Sequence, residues 1–489
     1  LAALLAGTAG FGQTPDAGPS TTAAQPLKLG PFVVTGSWRV RMEAYDWFAA
    51  PPNDNDYAFA HSVLRVNFAL GRKNWGLDVE LAQPTVLGAP DNAIAPGAAG
   101  QLGLGGSYYA ANGKERNAAY VFPSKFFLRF RNLGGKEGNR LTLGRFEFID
   151  GTEVTPKDRT LAALKTMRIA HRLLGNFGFS VTGRSADGVD LSLGGPRHAN
   201  ITLAAARPTR GVFQTDGLGE LDVAWEYGAW TQPITLGKNP GELRFFAIGY
   251  QDVRAVIKTD NRPLAVRQGA DRFEDINIGS FGAHYLQVVN TKNAGEWDFL
   301  LWGVGQTGTW GLQEHRAGAG AIEAGWQPGA KAIKPWFRLG YFISSGDGNP
   351  SDNRHETFFQ LLPTPRWYAR YPFYNLENVQ DVSATAIFRP GTKWNVRSEF
   401  HNLSLASRQD FWYQGGGAFQ PHTFGYIGRP ADGHRALANL VDCSADYQVR
   451  RNFAVSLYFA QAWGQSVVRA IYPSGTSSQF GYAEFTYRF

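Results

Sequence analysis

The chemistry legible in this sequence belongs to arginine. Of the 48 Lys and Arg residues only 13 are Lys, and many of the arginines alternate with apolar residues instead of clustering. Arg39 and Arg41 are interleaved with Trp38, Val40 and Met42; Arg65 lies between Leu64 and Val66; Arg129 and Arg131 flank Phe130. Arg338 and Arg397 repeat the scheme beside Phe337, Leu339 and Val396. In an extended chain every second side chain shares a face, so these guanidiniums form rows opposite an apolar face. The planar guanidinium fork holds a carboxylate through two parallel hydrogen bonds. A row of such forks offers a multiply carboxylated chain a succession of equivalent contacts. Arg145 is one residue out of phase with Arg140, so both point the same way only if a bulge at Gly144 intervenes.

Acids of the same expected parity (Glu43, Asp78, Glu80, Asp222, Glu226, Glu399, Asp442 and Asp446) give the arginines a second reading, as half of a network that braces a wall. No catalytic set competes with these two readings. The chain lacks GxSxG, HExxH, P-loop and paired-cysteine motifs. His171, His284 and His401 have no evident serine partner, and the one cysteine, Cys443, falls on an apolar face. No catalytic residue and no cofactor is expected. The only metal candidate is calcium at Asp347, Asn349 and Asp352, whose spacing departs from the EF-hand loop and fits an Asx-rich turn. Scattered single charges also argue against a nucleic-acid partner, which selects Lys/Arg clusters.

The elements that must carry these rows are strands. Period-two alternation begins at Ser37 and recurs through 18 segments: 37–48, 60–71, 74–84, 119–131, 139–148, 187–194, 200–208, 219–231, 241–252, 277–290, 296–309, 316–327, 335–345, 381–389, 393–405, 435–449, 452–463 and 479–489. Connections after the even-numbered segments are short, while long ones such as 85–118, 149–186, 346–380 and 406–434 fall at the opposite end. An even meander of strands near ten residues, with short turns at one end and long loops at the other, is the pattern of an outer-membrane β-barrel. Charged residues make up 18% of the chain and aromatic ones 14%, which suits a wall facing lipid. The expectation is an all-β, antiparallel up-and-down transmembrane barrel over 37–489. The apolar residues 1–12 read as the remnant of a secretion signal and 13–36 as a flexible periplasmic leader. The insert 149–186 contains a helical stretch, 156–174, capped by Asp158 and ended by Gly175, which either brings Lys165, Arg168 and Arg172 over or into the barrel mouth or is a solvated surface helix.

Three stretches resemble the bacterial alginate-export outer-membrane barrels: Leu141 to Gly151 (LTLGRFEFIDG), Arg184 to Val189 (RSADGV), and Ser407 to Gly417 (SRQDFWYQGGG) followed by Leu440-Val441-Asp442. The resemblance implies an 18-stranded barrel with a basic lumen that passes anionic exopolysaccharide, alginate or alginate-like, across the outer membrane, with possible periplasmic export partners. It also implies pore or mouth roles for Arg145, Arg184, Asp187 and Arg408. The alternative expectation is a porin for general nutrients or organic anions.

Overall fold

The computed structural model describes residues 26–195, 198–291, 294–330 and 332–489. The alternating segments form 18 strands. The first nine are β1 (Phe32–Asp46), β2 (Asp56–Gly71), β3 (Trp75–Leu87), β4 (Phe122–Arg131), β5 (Arg140–Phe146), β6 (Ala186–Leu193), β7 (Asn200–Pro208), β8 (Val223–Leu236) and β9 (Asn239–Asp252). The second nine are β10 (Ile276–Thr291), β11 (Gly295–Trp310), β12 (Gln313–Gln327), β13 (Trp336–Ser344), β14 (Val379–Phe388), β15 (Trp394–Leu405), β16 (Ala436–Arg450), β17 (Phe453–Gly464) and β18 (Ser477–Arg488). Each pairs antiparallel with its neighbour in sequence, and β18 returns to β1 in register from Ser37↔Arg488 to Asp46↔Gln479. The sheet is therefore closed, the one arrangement in which a sheet leaves no edge N–H or C=O unpaired in lipid.

Both faces follow from the alternation. Trp38, Met42, Phe126, Leu128, Phe281, Leu339 and Phe459 are exposed on the outer wall, while Arg39, Arg41, Glu43, His61 and Glu80 are buried inside. At the short-connection end outward aromatic pairs line the wall: Trp297 with Trp326 at 5.7 Å, Trp394 with Tyr447 at 4.4 Å, and Tyr487 with Phe489 at 6.1 Å between ring centroids. Such rings mark the headgroup level of a bilayer. The seam is closed by Phe489, whose backbone exchanges hydrogen bonds with Gly36 at 2.8 and 3.0 Å. Its ring lies where a side chain on Gly36 would go.

Three expectations need correction. Residues 13–36 are not a leader throughout: Leu27–Leu29 is a short strand on β1, which itself starts at Phe32. The segment 1–12 and the rest of the expected leader to residue 25 lie outside the described residues. The helix of the insert is shorter than 156–174. It runs from Arg159 to Ile169 with Asp158 accepting from Leu161 N at 2.9 Å. Beyond it Leu173 and Gly175 exchange backbone bonds with Leu362 at 2.9 and 2.8 Å, so tertiary pairing replaces the last helical turns. Asp222 and Glu226 are exposed and lie outward, because β8 buries Trp225 and Tyr227 inside against Phe148 at 4.8 and 4.9 Å.

The interior core lies in the half of the barrel nearer the long connections. There the segments 147–185, 345–378 and 406–435 fold inward as a plug whose packed rings include Phe373, Trp412 and Phe424.

Candidate functional site

The inward arginines meet the plug. Arg39 donates to the carbonyls of Gly178 and Ser180 at 2.5 Å each and lies 3.7 Å from Glu484. Arg41 holds Glu484 at 2.8 Å through Nε and 2.5 Å through Nη2, and donates to Phe179 O at 3.0 Å. Arg65 pairs with Glu80 at 2.8 Å and donates to Thr182 O at 3.1 Å. On the far wall Glu323 of β12 is a hub: Arg168 reaches it at 2.9 and 2.8 Å, Arg172 at 3.2 Å and Arg338 at 3.0 Å. Arg338 also bonds Asp298, Arg397 pairs with Glu399 at 2.6 Å, and Lys165 with Glu242 at 2.8 Å. The insert is thus buried in the lumen and held by Lys165 and Arg168 of its helix and by Arg172 just beyond it.

Three cavities lie inside the barrel. The outer one, about 300 Å³, is lined in part by aromatic rings, among them Phe177, Phe213, Phe419 and Phe424. It shares Phe179 and Arg366 with a throat of about 20 Å³, onto which Arg41, Arg366, Arg370 and Arg397 face with a single acid, Glu484. The throat guanidiniums are stacked on rings: Arg41 lies 4.1 Å from the Phe179 centroid and 4.7 Å from Tyr482, and Arg366 lies 4.2 Å from Tyr458. Stacking on a ring holds a cation in place. Nearer the short turns a cavity of about 200 Å³ sets Lys125, Arg129 and Arg140 against Asp78, Glu80, Glu147, Glu153 and Asp190.

Several expected site residues lie elsewhere. The β5–β6 ladder runs without a slip from Arg140↔Ser192 to Phe146↔Ala186, so no bulge turns Arg145 inward. It lies on the outer face with Leu143 and forms a two-pronged pair with Asp187, at 2.8 and 2.6 Å; neither residue lines the lumen. Arg184 is buried but meets no carboxylate. It donates to the carbonyls of Gly175, Leu362 and Pro363 through Nη1 and of Gly416 and Ala418 through Nη2, tying the three plug segments together; burial lowers its pKa to about 10. Arg408 is exposed on a long connection. Arg131 points inward at the short-turn end, opposite Arg140 across the ladder. The calcium candidate is a run of Asx turns: Asp347, Asn349 and Asp352 accept from the backbone N–H of Asn349, Ser351 and Arg354 at 2.9, 3.2 and 3.0 Å. Among the described residues no group of three or more His, Cys, Asp or Glu is placed to hold a metal. Arg366, Arg370, Glu323 and Glu484 were not singled out in the sequence. For the two acids strand parity was the available signal; the two arginines lie in LLPTPRWYARYPF, which has no alternation to read.

Two plug carboxyls make its docking sensitive to pH. Asp150 accepts from Leu174 N at 3.1 Å while its second oxygen meets no donor, and burial raises its pKa to about 7. Glu377, wholly buried, accepts from Gln360 N at 3.1 Å and Asn375 Nδ2 at 3.0 Å, and burial raises it to about 8. A carboxyl whose pKa is higher in the docked state favours docking in acid, and the benefit is lost as pH rises through those values. Single-channel conductance is expected to rise between pH 6 and 9 as the ends of a range spanning about 7 and about 8, and Glu377→Gln is expected to flatten most of that rise; a pH-independent wild type would refute the assignment.

A closed 18-stranded antiparallel barrel with lipid-facing apolar side chains and a charged interior defines an outer-membrane channel. The chain matches the alginate-export family over residues 105–463 and belongs to it. Its fold is that of solved outer-membrane proteins. Acinetobacter baumannii OccAB2 has 9% identity and a TM-score of 0.55, covering 94% of this chain and 100% of its own. Pseudomonas aeruginosa OccD3 (OpdP) has 10% identity and a TM-score of 0.55, covering 98% and 96%. Pseudomonas aeruginosa OpdK, in its structure with vanillate, has 9% identity and a TM-score of 0.54, covering 93% and 98%. No curated protein matches the sequence.

Proposed function

We propose that the protein is a passive, anion-selective channel for carboxylated saccharide chains, alginate or a similar acidic exopolysaccharide. The observation that carries this reading is the throat, where Arg41, Arg366, Arg370 and Arg397 face a single acid, Glu484. Several guanidiniums in succession let a carboxylate pass from one to the next, and a basic constriction raises the local anion concentration. Membership of the alginate-export family supports a polymeric uronate as the solute. With the plug docked, a throat of about 20 Å³ holds about one water molecule. Transit therefore requires 147–185 and 345–378 to shift.

The outer cavity favours a second reading. Its volume of about 300 Å³ and aromatic rings fit one ring-sized carboxylate better than an extended chain, so uptake of small organic anions is the alternative function. Planar-bilayer recordings separate the two. On the first reading, oligogalacturonate blocks for longer with increasing chain length; on the second, monomeric galacturonate competes as well as any oligomer. Both readings require anion selectivity that falls toward unity in Arg366→Gln/Arg370→Gln, measured from reversal potentials in a salt gradient. A cation-selective wild type would refute both.

A further inference from the structure

The lipid-facing wall is not evenly ridged. On β11 and β12 the outward positions Gly303 and Gly305 stand directly opposite Gly320 and Gly318. They form a bare floor between Phe281 of β10, opposite Gly305, and Ile343 of β13, opposite Gly320. Leu301 and Ile322, paired and exposed, close the floor toward the short turns. The part nearer the long connections is an open groove of about 750 Å³, lined by Phe281, Gly305 and Gly318 below and by Thr307, Arg316 and Glu356 at its rim.

The backbone does not require these glycines. None of the four has a positive φ. A Cβ on Gly305 would meet nothing within 4 Å, and on Gly303 or Gly320 only a carbonyl, at 3.8 or 3.6 Å. Glycine inside a strand weakens it and marks a place where a ligand or another chain approaches closely.

The height of the rim identifies what approaches. Ten residues of β12 separate Arg316 from Trp326 of the aromatic belt. At about 3.4 Å per residue and a tilt of about 40° that is about 26 Å, the height of the apolar band. Arg316 therefore stands at the opposite headgroup level, on the side of the long connections, which in outer-membrane barrels face outward. Its guanidinium is exposed and donates to Glu314 through Nε at 2.7 Å, a surface pair that contributes little. A cation, a carboxylate and a hydroxyl above an apolar floor match an acylated sugar phosphate, with the phosphate on Arg316 and the sugar's donors on Glu356 and Thr307. The floor is two strands wide, about 10 Å, which suits acyl chains and is too narrow for the wall of a second barrel.

We infer that the groove on β10–β13 binds one phosphorylated glycolipid of the outer leaflet, of the lipid A type, with acyl chain on the glycine floor and phosphate at Arg316. The inference does not depend on which solute the channel passes.

The test titrates the purified barrel in detergent with diphosphoryl lipid A and, separately, with phosphatidylglycerol, read by native mass spectrometry and thermal melting. The wild type is expected to retain one lipid A and to melt higher with it, and to hold phosphatidylglycerol more weakly. Gly305→Leu, which fills the floor, and Arg316→Gln, at an exposed side chain, are each expected to weaken lipid A retention about tenfold. Phe459→Leu, on the outer wall of β17, is expected to leave it unchanged. No retention by the wild type, equal retention in all three variants, or phosphatidylglycerol held as tightly as lipid A would overturn the inference. So would a wild-type dimer that Gly305→Leu converts to a monomer, which gives the groove to a second copy of the chain. Each of these results leaves the channel reading intact.

Discussion

Replacing Arg184 with methionine is expected to release the plug without unfolding the barrel. The guanidinium is the shared donor for carbonyls on three separate segments, those of Gly175, Leu362, Pro363, Gly416 and Ala418. Methionine keeps the length and the contact with Phe177, whose ring centroid lies 5.7 Å away, but donates nothing. Leaving even two of those buried carbonyls without a donor costs about 3 kcal/mol, a factor of roughly 100 in the docked population. The 18-strand ladder does not depend on this residue, so the heat-modifiable gel mobility of the folded barrel should persist. Single-channel conductance should rise several-fold, and 147–185 should become open to proteolysis. Unchanged conductance and protease resistance would show that Arg184 does not hold the plug.

Glu323→Gln is expected to have the second-largest effect, and its direction separates a bracing network from a conducting one. Glu323 receives Arg168, Arg172 and Arg338, and removing one partner of a buried ion pair costs about 3–5 kcal/mol. The helix Arg159–Ile169 should leave the wall, giving noisier current. Because the lumen loses one negative charge and keeps all three cations, anion selectivity should rise, in contrast to its fall in the throat variant. A fall in selectivity from reversal potentials would show that the hub only braces.

The strands were legible because each has to satisfy two environments at once. Trp38, Val40 and Met42 against Arg39, Arg41 and Glu43 are a record of lipid on one side and water on the other, and all 18 expected segments overlap an observed strand. Parity failed where inward packing was apolar. Trp225 and Tyr227 occupy the inside of β8, which put Asp222 and Glu226 outside. Arg145 and Asp187 satisfy each other on the outer wall, so neither needs the aqueous interior that a lone charge would. The throat was hidden for a different reason. Arg366 and Arg370 lie on a plug segment whose course is fixed by contacts with distant wall residues, such as Arg366 with Tyr482 at 2.8 Å. No local periodicity encodes such a contact.

Most of the lumen arginines prove to be ion-paired, so arginine content alone does not define the path. What distinguishes the throat is local composition, four cations to one acid, at the smallest of the three cavities. Elsewhere, as at Arg65 with Glu80 or Lys165 with Glu242, each charge is largely answered by its neighbour. Selectivity should therefore respond steeply to changes at the throat and weakly to changes at those pairs.

The fit of Phe489 over Gly36 has a consequence for how the cylinder zips shut. A slip of one rung would turn every greasy side chain into water and be rejected at once, but a slip of two rungs keeps inside and outside correct. Two rungs away from Gly36 stand Val34 and Trp38, and either would collide with the ring that Gly36 accommodates. Phe489 thus acts as a key cut for one notch, proofreading the alignment that hydrophobicity alone would let pass.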